Sequence, residues 1–367
     1  MAQGRRGGCG CLLAALVVVL AAGGFAAWKF GKPWWDARRA REAPPASGKE
    51  LTVRVLDVGL GDAVLVVAPS GRTVLVDAGP PGAGKKVLDA LKRAGVERLD
   101  YFVATHSHAD HVGGADEVIK AVPVGQVYYS GYPQTTREYD DFLKAVQQKN
   151  LKLEKATPGA VIDLGDGARL RVLAPIEPFF EEKDLSAGGN EPNANSVVMR
   201  LDYGEFSMLL PGDAEEQTER RMVDKGAEFA AAVLKVSHHG SKYATSEDFL
   251  KRGGFKTAVI STGADNRYGL PAPDTLARLK AAGVRLYRTD MQGEVTVSTR
   301  GRQDDVKVTA AREPKPNQDL WAGLPALRDD SAKRGFIDFG DLPPAPKPKD
   351  EARSNANAKN SNSNARR

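Results

Sequence analysis

"FVATHSHADHVGG", residues 102–114, decides how this chain is read. An apolar, β-branched and aromatic run ends at Ala104, which reads as a strand entering a loop. The loop then places His106, His108, Asp110 and His111 within six positions. The whole chain of 367 residues has only five histidines, and the other two, His238 and His239, are adjacent in "LKVSHHGS". That pair also follows a strand-like run. Strand ends are where a mixed α/β sheet presents side chains for chemistry, so the histidine distribution predicts one site assembled from two loops.

Outward from these loops the texture is constant between about residues 51 and 311. Short β-branched runs such as "LTVRVLDV", "DAVLVVA", "RTVLVDAG", "SVVMRLDYG" and "KTAVIST" are separated by Gly, Pro and Ser, which predicts strands. "GKKVLDALKRAG", "EYDDFLKAVQQKN", "EEQTERRMVDKG", "TSEDFLKRGG" and "PDTLARLKAAG" have helical spacing, most with a glycine stop. The expected fold is mixed α/β, with the first three strands running on as a meander.

The flanks differ from this middle. Residues 11–28 are apolar and uncharged, near the lower length limit for a membrane-spanning helix and longer than most signal-peptide cores. They predict an uncleaved anchor, with a cleavable signal as the alternative. Trp28, Trp34 and Trp35 resemble an interfacial belt. Residues 1–10 are then a cytoplasmic stub and 29–50 a linker. Arg5 and Arg6 orient the later domain outward, whereas Lys29, Lys32, Arg38, Arg39 and Arg41 argue for the opposite sense. The expected setting is a bacterial-type cell membrane, single-pass, with the catalytic domain extracytoplasmic. Residues 312–367 end in Pro/Lys and Asn/Ser tracts and predict a low-complexity, disordered tail. The positive charge of the chain, +5 overall, lies in these flanks, which carry +5 over residues 1–50 and +3 over residues 312–367. Residues 51–311 carry 33 basic and 36 acidic residues, a net of −3, so bulk charge is no argument for nucleic-acid binding there. Both cysteines, Cys9 and Cys11, precede residue 12, which excludes a disulfide or a thiolate metal site in the central region.

Neutral imidazole and carboxylate suit Zn, Mn or Fe. The spacing H-x-H-x-D-H can split its ligands, His106 and His108 toward one ion, Asp110 and His111 toward a second. Such a pair needs a bridging carboxylate and a remote histidine. Asp213 in "MLLPGDAEE" and either His238 or His239 are the candidates.

H-x-H-x-D-H-x-G-G resembles the metallo-β-lactamase superfamily, an αββα sandwich of metal-dependent hydrolases. More narrowly, the chain resembles the metallo-β-lactamase-like domain of the ComEC DNA-uptake (competence) proteins. "LDVGLGDAVLV" supplies Asp57, Gly59, Gly61 and Asp62, and "LVDAG" supplies Asp77. "NSVVMRLDYG", "GDAEE", "HHGSK" and "YRTD" follow in order, so the resemblance spans roughly 51–300. It departs at Leu60, where the family has glutamine, and at Leu270, where it often has histidine. The resemblance implies two divalent ions, Zn or Mn. Asp110, His111, Asp213 and one of His238/His239 would hold one ion, and His106, His108 and Asp213 the other. Asn195 stands where many members carry a further histidine, and a weakly ligating amide oxygen there implies a looser, manganese-like ion. Asp77 would orient a ligand histidine. A hydroxide bridging the two ions would attack a phosphodiester, with Asp110 orienting it and Ser241 and Lys242 meeting substrate oxygens. The implied protein is a membrane-anchored phosphodiesterase or nuclease acting on DNA, with no obvious protein partner. Two alternatives stay open: hydrolysis of a small phosphodiester or carboxylic ester, and a non-catalytic binding module that keeps its metal site.

Overall fold

The first strand, β1 (Leu51–Val55), alternates strictly, sending Leu51, Val53 and Val55 inward and half-exposing Thr52 and Arg54. The computed structural model to which it belongs describes residues 46–185, 189–264 and 266–323. β1 continues antiparallel into β2 (Val64–Val67) and β3 (Thr73–Val76), the meander expected from sequence. From there the pairing turns parallel. Helix α1 (Gly84–Arg93) crosses to β4 (Leu99–Ala104). Two short helices, α2 (Ala109–Val112) and α3 (Ala115–Ala121), lead to β5 (Val124–Tyr129), and α4 (Arg137–Gln148) leads to β6 (Leu153–Lys155).

The second sheet repeats this plan. β7 (Val161–Gly165) and β8 (Ala168–Ala174) form a hairpin, and α5 (Glu191–Ala194) precedes β9 (Val198–Tyr203) and β10 (Phe206–Leu210), all antiparallel. Then α6 (Glu216–Asp224), α7 (Glu247–Gly253) and α8 (Pro273–Ala281) cross to the parallel strands β11 (Val233–Lys235), β12 (Thr257–Ile260) and β13 (Arg285–Arg288). A last short helix, α9 (Thr289–Gln292), returns the chain to the first sheet, where β14 (Val295–Thr299) pairs with β1 and β15 (Lys307–Ala310) forms the edge. The sheet orders are β15-β14-β1-β2-β3-β4-β5-β6 and β13-β12-β11-β10-β9-β8-β7.

Three apolar cores make the layers. Val53, Val66, Val74, Met199, Leu201 and Met208 fill the space between the sheets. On the far side of the first sheet Leu65, Leu75 and Phe102 meet Val87 and Leu91 of α1, Ile119 of α3 and Phe142 of α4, with the Phe102 and Phe142 rings 5.9 Å apart. On the far side of the second, Leu209, Leu234 and Ile260 meet Met222 of α6, Phe249 of α7 and Leu276 of α8. Each such side chain contributes about 1.5–3 kcal/mol on burial. Helices of 7 to 12 residues have little stability alone and depend on that packing. The result is the αββα sandwich that the sequence predicts.

Some elements escaped the sequence pattern. β7 and β15 are half-exposed edge strands with polar residues, and β6 has only three residues. The expected anchor at 11–28 lies outside the described residues. Among the described residues no helix is long and apolar enough to cross a membrane. The expected end of the folded region, at 311, is moved outward by the structure: residues 312–323 stay on the domain. The cause is Arg288, in the "YRTD" stretch, which is fully buried. Its guanidinium donates to both carboxylate oxygens of Asp290 (3.1 and 2.7 Å) and to the carbonyls of Leu320 (3.0 Å) and Ala322 (2.7 Å). Arg312 adds a bond to the Met291 carbonyl at 3.1 Å, and Trp321 packs against the third core.

Removing one member of a buried ion pair leaves the other uncompensated, at a cost of about 3–5 kcal/mol. Arg288→Ala is therefore expected to lower the unfolding free energy by that order, read as a lower urea midpoint, and to expose the amides of 317–323 to faster hydrogen exchange. An unchanged midpoint would show that Arg288 does not hold this segment.

Candidate metal centre

Asp77 follows β3 in the left-handed backbone region, at φ 59°. Its carboxylate accepts from the Thr105 amide (2.8 Å), the Thr105 hydroxyl (2.7 Å) and His111 Nδ1 (2.7 Å). His111 therefore carries its proton on Nδ1 and turns Nε2 away from Asp77. The Thr105 hydroxyl spends its hydrogen on Asp77, so its lone pair accepts from His106 Nδ1 at 3.1 Å. This frees His106 Nε2, which lies 3.0 Å from His108 Nδ1.

The "DVGLGD" loop braces the histidine loop from behind. The Asp62 amide donates to the Asp110 carbonyl at 3.1 Å and the Ala78 amide to the His111 carbonyl at 2.7 Å. A Cβ on Gly61, at φ 140°, would lie 2.3 Å from the Asp110 carbonyl oxygen. Only glycine allows that approach.

The second sheet delivers the remaining groups. β10 runs out through Pro211 and Gly212 to Asp213, and β11 leads to the turn Ser237–Gly240. His238 and His239 both have left-handed backbone, φ 47° and 52°. His239 Nδ1 donates to the Ser261 carbonyl at 2.9 Å, and its Nε2 lies 3.0 Å from Asp110 Oδ2.

Asp213 is the centre of the arrangement. Its Oδ2 lies 3.3 Å from His111 Nε2, 3.5 Å from His239 Nε2, 3.9 Å from His238 Nε2 and 4.0 Å from His106 Nε2. Asp110 Oδ2, at 3.7 Å from His111 Nε2, closes the near side. Ligand atoms of Asp110, His111, Asp213 and His239 all fall within 4.8 Å of one another. The Asp213 carboxylate is fully buried, and neither of its oxygens makes a well-formed hydrogen bond. Asp110 Oδ1 and His111 Nε2 are likewise buried without one. Buried orphan acceptors converging with imidazole nitrogens fit a divalent cation of the Zn or Mn type.

The electrostatics agree with this. Burial drives His106 well below the usual imidazole range and His108 down to about 4, so both are neutral ligands at neutral pH. Burial also opposes charge on His111 and His239, but the surrounding carboxylates prevail. Asp213, Asp110 and Asp77 raise His111 well above its ordinary value, and Asp213 and Asp62 raise His239 to about 9. Burial would raise Asp213, yet His111, His239 and His238 hold it well below the carboxylate range. The pocket demands positive charge, which protons or a metal ion can supply.

The structure thus brings together His106, His108, Asp110, His111, Asp213, His238 and His239, with Asp77 behind His111. Asn195 is corrected. Its amide oxygen accepts from the Phe180 amide at 2.9 Å and its amide nitrogen donates to the carbonyls of Phe180 and Glu191, each at 2.9 Å. These bonds latch two loops and engage both ends of the amide, in place of the ligand role expected of it. Ser241 is buried and its hydroxyl accepts from the Tyr243 amide at 3.3 Å, while Lys242 is exposed with its ammonium 5.2 Å from the centre of the Tyr243 ring. Asp57 stands apart, 3.8 Å from Arg312.

Sequence reasoning missed Thr105, Lys235, Glu215 and Ser261. Lys235 is buried against Asp62, with Lys235 and His239 holding that carboxyl at about 2 against the effect of burial. A lysine inside the apolar run "AVLKV" was the available signal. Glu215 is fully buried, its Oε1 3.4 Å from His238 Nδ1.

Residues 56–264 match a family model described as the metallo-beta-lactamase superfamily. The chain is similar to ComE operon protein 3 of Bacillus subtilis, 31% identical over 276 residues that cover 70% of this chain and 34% of that protein. It is similar to competence protein ComA of Neisseria gonorrhoeae, 32% identical over 69% of this chain and 32% of that one. Recombination protein 2 of Haemophilus influenzae is 29% identical over 71% of this chain and 30% of its own length. The chain spans about a third of the length of these curated relatives.

Loss of a carboxylate that orients a ligand histidine typically costs 10–100-fold in metal affinity. Asp77→Ala is expected to weaken Mn²⁺ or Zn²⁺ binding by roughly that factor, read by competition with a chromogenic chelator. Unchanged affinity in a folded variant would show that Asp77 does not orient His111.

Proposed function

This chain belongs to the metallo-beta-lactamase superfamily, and from that premise we propose that it is a membrane-anchored, two-metal phosphodiesterase that cleaves DNA. The observation that carries the reading is Asp213, a buried carboxylate whose oxygens make no well-formed hydrogen bond among the described residues, with imidazole nitrogens of both histidine loops gathered round its Oδ2. On this reading Asp110, His111 and His239 would hold one ion with it, and His106 and His108 a second. Two bound divalent ions would supply Lewis acidity and a water of lowered pKa.

The protein's own groups do the rest. Asp77 and the Ser261 carbonyl fix the tautomers of His111 and His239. Asp110 Oδ1, without a hydrogen bond in the resting site, is the acceptor that orients a nucleophilic water. Ser241 follows the histidine turn directly, and the exposed ammonium of Lys242 is a point charge for a phosphate oxygen. The similarity to proteins named for competence and recombination supports DNA as substrate. Residues 11–28 would anchor the domain, held outside the cell membrane.

One observation favours a second reading. A net charge of −3 over residues 51–311 suits a small phosphodiester or ester better than a long polyanion.

The test is cleavage of labelled single- and double-stranded DNA by the purified chain in Mn²⁺ or Zn²⁺, with Asp110→Ala beside it. Metal-dependent cutting is expected, reduced in the variant by about 100-fold or more. No cutting of either DNA by protein that holds two ions would sink the nuclease reading and favour the small substrate.

A further inference from the structure

The two adjacent histidines present a puzzle. Neighbouring residues of an extended strand point to opposite faces, and an isolated histidine pair after β11 would send one ring away from the site. Here both rings converge on one oxygen: His238 Nε2 and His239 Nε2 lie 3.9 and 3.5 Å from Asp213 Oδ2. The turn achieves this with two consecutive non-glycine residues in left-handed backbone, followed by Gly240 at φ 84°. Such strained residues persist where the surroundings over-determine them. The rings end 6.2 Å apart and nearly perpendicular, approaching Asp213 from different directions.

Their partners differ as well. His239 is bound to the Ser261 carbonyl and reaches Asp110. His238 has no such link to Asp110. Its Nδ1 faces Glu215 Oε1 at 3.4 Å. Glu215 is fully buried and itself held, its Oε2 accepting from Gln217 Nε2 at 3.0 Å and from the Asn190 amide at 3.3 Å. Glu215 faces His238 Nδ1 from the same side that Asp77 takes at His111, at the longer distance of 3.4 Å against 2.7 Å, and its Oε1 also accepts from Asn193 Nδ2 at 3.4 Å. The amide of Asn193 lies almost equidistant from both ring nitrogens of His238, at 3.4 and 3.5 Å, so it rests against the ring edge and selects neither.

We propose that His238 and His239 serve two different ions at once. His239 completes the centre of Asp110, His111 and Asp213. His238 completes the centre of His106, His108 and Asp213, while the Asn195 amide is bonded to backbone at both its oxygen and its nitrogen. Glu215 is the positioning residue that keeps the His238 proton on Nδ1 and its lone pair on Nε2. This assignment rests on the two-ion reading above.

The experiment counts Mn²⁺ bound to the metal-free full chain by equilibrium dialysis. Two ions are expected for the parent protein. His238→Ala and His238→Gln are expected to keep one ion at parent affinity and lose the other. Glu215→Gln should keep both, with one weakened by about 10–100-fold, and Glu215→Asp should recover part of that loss. A merely structural role would weaken both ions together. Two ions at parent affinity in either folded His238 variant would overturn the assignment while leaving the two-ion reading intact, as would two unchanged ions in Glu215→Gln. A single ion in the parent protein would overturn the two-ion reading itself, and this assignment with it. Circular dichroism identifies any variant that fails to fold. The Glu215 variants keep the question decided if both His238 variants do.

Discussion

A fully buried carboxylate whose oxygens make no well-formed hydrogen bond among the described residues is an expensive object. Moving such a charge out of water costs several kcal/mol even after the protein relaxes, unless opposite charge or a metal compensates. Asp213 is in that position, and the rest of the site follows from it. Nε2 atoms of four histidines gather around its Oδ2 within 3.3 to 4.0 Å. The nearest two are the histidines that the carboxylates push toward protonation, and His106, at the outer limit of that range, is one that burial keeps neutral. A core of this kind is stable only if something positive sits in it.

The architecture exists to bring those groups to one point. Each half of the chain makes a meander and then adds parallel strands, so the ends of β3 and β4 face the ends of β10 and β11. The loops from the two sheets meet without spare room. A Cβ on Gly212 would lie 2.9 Å from that of Thr105, and the Ser261 hydroxyl donates to the Gly61 carbonyl at 2.7 Å. Three non-glycine residues of the site, Asp77, His238 and His239, hold left-handed backbone. Their strain is offset by bonds that cross from one loop to another, which is how a site keeps a geometry that its own local sequence disfavours.

Much of this was legible in sequence, for reasons that can be named. The strand and helix patterns carried the mixed α/β class, because buried strands need apolar runs and amphipathic helices need their spacing, and the layer order came from the family resemblance. The ligands were legible because histidine is rare here and clusters after strands. Asn195 was misread because a motif position says nothing about which hydrogen bonds a side chain has already made. Glu215, Thr105 and Lys235 were missed because one buried polar residue in an apolar stretch looks like any surface residue until the fold shows what it touches. The choice between His238 and His239 was undecidable for the same reason. It depends on two backbone dihedrals and on the partners of each ring, and neither is written in the residue types. For the docked segment 312–323, Trp321 was legible as a sparse apolar anchor, whereas the hold of Arg288 was not, since it acts chiefly through main-chain carbonyls.

The charge distribution across Asp213 also bears on how a substrate would lie. On the two-ion reading, the first ion would have two carboxylate ligands, Asp110 and Asp213, with Asp77 behind His111, while the second would share only Asp213 as a carboxylate ligand, with Glu215 behind His238. An ion on the first side would be largely neutralised by the protein. An ion on the second would keep more of its charge, since imidazoles contribute none. An anionic phosphate oxygen is drawn to the less neutralised ion, toward His106 and His108, while Asp110 on the opposite side is free to orient the attacking water. Nucleophile and phosphate are then sorted to opposite sides of one buried carboxylate. A neutral ester gains less from that sorting, because its carbonyl oxygen brings no charge to the imidazole-rich side. On that reading the asymmetry of the ligand set would suit an anionic phosphodiester better than a neutral ester.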